Sequence, residues 1–204
     1  MNRMTTIDHI TLESADPASA AFYDTAFALG SRVRVRASDA PTDGFRGFTM
    51  SLVVSQPANV NALVDAALAA GATALKPAAK SFWGYGGVVQ APDGAVWKIA
   101  SSAKKDSAPA SRDVDDIVLL LGVDDVKATK AFYVGKGLTV GKSFGSKYVE
   151  LETSPIKVAL YGRRALAKDA GVAPEGSGSH RLQIGGDAGS FNDPDGFAWE
   201  AAAG

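Results

Sequence analysis

Pro92-Asp93-Gly94-Ala95-Val96-Trp97 and Pro194-Asp195-Gly196-Phe197-Ala198-Trp199 are one device written twice: a Pro-Asp-Gly turn running into a strand that carries a tryptophan. Each copy is preceded, at a long interval, by the same tripeptide on a short helical stretch, Ala21-Phe22-Tyr23 in the first half and Ala131-Phe132-Tyr133 in the second. The order in each half is apolar strand, acidic helix start, Ala-Phe-Tyr, then the turn and the tryptophan strand. A repeat at that range means duplicated units, and it governs how every local signal is read.

Outward from the first copy, residues 7–13 alternate as a strand, with Ile10 and Leu12 on one face and His9, Thr11 and Glu13 on the other. Asp16-Pro17 predicts a helix start, with the helix running to about residue 28. Residues 31–38 alternate arginine and valine, so Arg32, Arg34 and Arg36 share a strand face; residues 48–55 form a further apolar strand. Val60, Leu63, Val64, Ala67 and Leu68 mark one buried helical stripe, closed by Gly71. Strands are predicted over 72–77, 85–90 and 95–100. In the second half strands are predicted over 116–123, 139–144, 148–152, 157–161, 180–184 and 197–202. Asp124 or Asp125 caps a helix reaching about residue 135, and 164–170 reads as a loop or short helix. The small, polar residues 102–113 read as a linker between domains spanning 1–101 and 114–204.

Composition excludes several classes. With 46% hydrophobic and 21% charged residues the chain is an ordinary globular protein. A net charge of -1 gives no reason to expect nucleic acid or an anionic membrane as partner, and there is no cysteine for disulfides, thiolate metal sites or thiol nucleophiles. The first residues lack a signal-peptide core, so a cytoplasmic location is the default expectation. The glycine stretches lack nucleotide-binding spacing, and neither histidine sits near a nucleophile elbow.

Duplicated strand–helix–strand–strand–strand units resemble the vicinal-oxygen-chelate superfamily of glyoxalases, bleomycin-resistance proteins and dioxygenases. The residues that carry the resemblance are 7–12, Phe22-Tyr23, 82–87, 121–125, Phe132-Tyr133 and 193–200, and it covers nearly the whole chain outside the linker. It implies an α+β fold: tandem βαβββ units forming curved mixed sheets, or cups, with helices packed outside. Two of the four units are trimmed, one between residues 38 and 48 and one after residue 180. Two copies of the chain exchanging units, a homodimer, would be compatible with that architecture.

The resemblance also implies a divalent metal (iron, manganese, nickel or zinc) held from first and last strands. His9, His180 and Glu200 fall at the family's ligand positions and make a plausible donor set by number and type. Because the histidines lie in different halves, that site requires the first and last units to pair, leaving the central two to pair with each other. Glu200, Glu13 and Tyr85 are the candidate proton-transfer or substrate-contact residues. Lys98 stands at the carboxylate position of the other cup, which argues that this cup is metal-free. These readings give a metal-dependent enzyme acting on a small oxygen-rich metabolite. The alternatives are a metal-free protein that sequesters a drug or metabolite, with Phe82, Trp83 and Tyr85 as stacking surface, and a scaffold whose cups are filled by side chains.

Overall fold

A computed structural model describes residues 4–202. The first half runs Thr5–Ser14 (β1), Ser19–Ala26 (α1), Val33–Ala37 (β2), Thr42–Gly44 (β3), Phe48–Val53 (β4), Pro57–Ala69 (α2), Thr73–Ser81 (β5), Gly84–Gln90 (β6) and Val96–Ser101 (β7). The second runs Asp116–Val123 (β8), Val126–Gly135 (α3), Val140–Phe144 (β9), Tyr148–Leu151 (β10), Thr153–Gly162 (β11), Arg163–Ala170 (α4), Gly176–Gly178 (β12), Leu182–Gly186 (β13), Phe191–Asn192 (β14) and Ala198–Ala201 (β15).

Residues 102–113 carry no helix or strand, and they are anchored. The Gln56 side chain accepts from the Ser107 and Ala108 amides (2.8 and 2.9 Å), and Asn59 accepts from the Ser111 amide (2.9 Å). Asp106 accepts from the Ala58 amide at 2.7 Å, so the linker caps α2. Helix α3 supplies its own cap, Asp125, which accepts from the Lys127 and Ala128 amides. Helix α1 starts later than Asp16 predicts: that carboxylate instead closes a turn onto the Ala18 amide at 2.9 Å.

Thirteen of the described strands join in one mixed sheet, ordered β14-β15-β13-β1-β11-β8-β4-β7-β6-β5, with β2 on β1 and β9-β10 on β11. Two complete units lie in the middle, β4-β7-β6-β5 and β8-β11-β10-β9, and meet through an antiparallel β4–β8 pair. The first unit is cut down to β1, α1 and β2, and it pairs with the remnant of the last through antiparallel β1–β13 and parallel β13–β15. Trimmed segments survive only as β3 and β12, three residues each, paired with one another.

Strand parity decides what each face carries. Ile10, Leu12, Met50, Leu52, Trp97, Leu119, Leu121, Val158, Ile184 and Trp199 point one way and merge with Phe22, Leu63 and Tyr133 of the helices. That core is continuous across both halves. The repeated motifs meet inside it. Tyr23 donates to Asp93 at 2.7 Å and accepts from the Trp97 indole at 3.4 Å. Tyr133 repeats this with Asp193 at 2.6 Å and Trp199 at 3.1 Å. Burial first, then the adjacent carboxylate, pushes both phenols well above the usual range. Each half is thus closed by its helix tyrosine gripping the turn before its own last strand.

Candidate functional site

The opposite face of the trimmed pair is polar because of register. His9 sits opposite Gly185, and Gly185 opposite Glu200; Thr11 lies between Gln183 and Arg34, and Glu13 lies opposite Arg36. The glycine is needed there: a Cβ at Gly185 would overlap Cε1 and Nε2 of the His9 ring. His9, 5% exposed, brings Nε2 to 3.3 Å from Glu200 Oε1. Arg36 donates from Nη2 to both Glu200 oxygens at 3.3 and 3.2 Å, and from Nη1 to Gln183 at 2.5 Å. Gln183 in turn donates to Glu13 at 3.2 Å, and Arg34 Nη1 lies 3.5 Å from His9 Nε2. Burial alone would raise the Glu200 pKa, but hydrogen bonds from Arg36 and His9 outweigh it and hold the carboxyl below the ordinary range.

His9, Glu200 and Glu13 therefore share one face. His180 does not join them. Strand β13 begins only at Leu182, and Arg181 adopts a left-handed φ of 50°, so residue 180 lies in the preceding turn. Its ring stacks on Phe197 at 4.0 Å, and its two nitrogens face the carbonyls of Arg46 (2.7 Å) and Asp195 (2.8 Å). A neutral imidazole can donate to only one of them. Tyr85 is also elsewhere: it stands on β6, its hydroxyl donating to Asn61 at 2.9 Å. Gln183 belongs to the polar face, opposite Thr11, because the break at Arg181 interrupts the alternation that a strand over 180–184 would carry from His180.

A metal does not fit the donors assembled on this face. Among the described residues no group of three or more histidine, aspartate or glutamate side chains is placed to hold an ion. Both Glu200 oxygens already accept from a guanidinium. The other His9 nitrogen, Nδ1, is sealed from solvent without a partner, so it is closed to an incoming ligand as well.

The central cup is filled by the chain itself. Helix α4 lies inside it, with Leu166 and Ala167 packed on Phe45, Leu120 and Tyr161, and Ala170 on Val88 and Val96. The apolar residues recur on one side of this short helix, and Gly171, at φ 78°, terminates it. Lys98 pairs with Asp169 of α4 at 2.8 Å, while Lys76 donates to the carbonyls of Lys168 and Asp169 at the helix end. Beside the plug a cavity of about 330 Å³ remains, walled by Trp83, Tyr85, Gly86, Lys76 and Lys98. Trp83 stands 83% exposed, edge-on to Phe82.

No protein-family model and no curated protein sequence matches the chain. Among solved structures it resembles glyoxalase I from Zea mays, at a TM-score of 0.64 and 15% identity over 97% of this chain and 92% of that one. It also resembles a protein of Bacillus subtilis described as a candidate dioxygenase, at a TM-score of 0.62 and 12% identity over 99% and 86%. No described helix is long and apolar enough to cross a membrane. Two central βαβββ units back to back, a trimmed outer pair closing on each other, and full-length likeness to glyoxalase I together place the chain in the fold of the vicinal-oxygen-chelate superfamily.

Proposed function

We propose that the chain is a metal-free small-molecule-binding protein built on this fold, and that its ligand sits in the cavity between the aromatic lip and α4. One observation carries the reading. In each cup the place of a metal-binding carboxylate is governed by a fixed protein cation: Arg36 neutralises Glu200 in one, and Lys98 itself stands there in the other. A cationic side chain supplies the positive charge without a metal and opposes the approach of one. Against the upward push of burial, hydrogen bonds from Arg36 and His9 hold the Glu200 carboxyl below its ordinary range, which weakens it as a general base and favours binding over catalysis.

The remaining cavity supplies what capture requires: an exposed indole to stack on, a phenol, glycine backbone that permits close approach, and the ammonium groups of Lys76, Lys80 and Lys98. A planar, oxygen-bearing metabolite suits it. Trp97 and Trp199 are buried, so a ligand here should quench the fluorescence of Trp83 selectively, and Trp83→Phe should abolish the response. The deciding measurement is metal analysis of the parent and Glu200→Ala after adding back iron, manganese, nickel and zinc. Absence of metal from both supports the reading. Stoichiometric metal in the parent that is lost in the variant would refute it and restore a metal-dependent enzyme.

A further inference from the structure

Arg46 precedes β4 and is 8% exposed, yet its guanidinium makes no hydrogen bond or ion pair with any described residue. Nη1 is completely shielded. Such an arrangement is costly, since a buried charge is normally paired or given several acceptors. Asp93, whose charge acts on Arg46, is committed to the Tyr23 hydroxyl and the Ala95 amide. Arg181 adds a second positive charge nearby, its own donors spent on the Ala40 carbonyl. Glu175, at the cavity rim, is exposed and forms no ion pair with Arg46.

The chain around Arg46 is held in place. His180 Nδ1 lies 2.7 Å from its carbonyl, and Arg163 donates to the Phe45 carbonyl at 2.6 Å. On its other side is Gly94 of the first Pro-Asp-Gly turn, where a Cβ would come within 2.7 Å of Arg46 Nη2. Arg46 and Gly94 line a cavity of about 310 Å³ whose remaining wall is largely apolar: Phe45, Phe48, Ala95, Val96 and Val172. It shares no residue with the aromatic-lipped cavity or with the His9 face.

We infer that this cavity is a binding site for a small carboxylic acid with an apolar body, the carboxylate taken by Arg46 and the body by the phenylalanine and valine walls. A guanidinium edge pairs well with a carboxylate, and since Nη1 is shielded the contact falls to Nη2, on the side of Gly94. The volume falls at the small end for ligand pockets, which suits a single-ring acid.

Benzoate is the probe, with benzamide as its neutral isostere and inorganic phosphate as the competing oxyanion. Calorimetry on the full chain should show saturable benzoate binding and none by benzamide. Arg46→Met should weaken it at least tenfold, with Arg46→Lys between the two. Side-chain Nε–H spectra of the unsubstituted protein supply a second readout that needs no variant: the Arg46 resonance should shift with the same benzoate dependence. Benzoate binding that is absent, unchanged in Arg46→Met, matched by benzamide or replaced by phosphate binding would each overturn the assignment.

Discussion

Replacing Gly185 by alanine tests the register argument at its tightest point. The backbone there is not left-handed, so alanine is conformationally acceptable; the obstacle is the His9 ring, which the new methyl would overlap at Cε1 and Nε2 and approach to 2.8 Å at Cδ2. The ring is 5% exposed and must retreat into packed neighbours, surrendering its contact with Glu200. Overpacking of this kind, with loss of one long charge-assisted contact, costs about 2–3 kcal/mol. For a chain of this size that is on the order of 5–10 °C in melting temperature. In a His9→Ala background the obstacle is gone, and Gly185→Ala should be neutral or stabilising by about 0.5 kcal/mol through the unfolded chain. Urea melts of the four proteins give the coupling directly. Gly186→Ala is the control, because its methyl would strike the Thr6 backbone carbonyl and no side-chain deletion relieves that. Additive costs of Gly185→Ala and His9→Ala would refute the claim that Gly185 exists to admit the imidazole.

Further predictions rest on separate contacts. Tyr133→Phe strands Asp193 Oδ2 and the Trp199 indole in the core, and should cost about 2–3 kcal/mol in a urea melt. Leu166→Ala hollows out the plug in the central cup and should cost about 2–5 kcal/mol, read the same way. Glu200 titrates lower in the folded chain than in the unfolded one, so its contribution is present above the unfolded value of about 4.3 and is lost as pH falls through the folded value. Glu200→Gln should therefore be less stable than the parent at neutral pH, with the gap closing below about pH 4 in a pH series of melts.

What could be read from the residues alone was whatever depends on repeat and parity. The Ala-Phe-Tyr and Pro-Asp-Gly motifs were legible because their contact is made within each half, and duplication displayed it twice. His9 and Glu200 reached one face because alternation on β1 and β15 is uninterrupted over the residues that matter. His180 misled because alternation was carried across Arg181, whose left-handed backbone lets the polar and apolar sides exchange. The warning was present: Leu182 and Ile184, two and four residues on from His180, are apolar, while Gln183 is polar. The plug was harder to foresee. Leu166, Ala167 and Ala170 lie on one side of a helix, but which surface receives that side is a long-range matter that periodicity does not encode.

The arrangement also explains how a site can change while its scaffold persists. The two tyrosine–aspartate–tryptophan contacts and the continuous core lie on the helix side of the sheet, away from the cup faces. Substitutions on the cup side do not disturb them, because successive side chains of a strand face opposite ways. Lysine at position 98, arginine at 36 and the helix in the central cup all lie on that side. The lysine and the helix are linked, since Lys98 and Lys76 hold the end of the helix that fills the cup. With the cup filled, two cavities remain beside it: β6 and β7 give Gly86, Val88 and Lys98 to the one beneath Trp83, and Gln90 and Val96 to the one at Arg46. The filled cup is thereby flanked by two small cavities of different chemistry, one aromatic and lysine-lined, the other holding a single buried guanidinium.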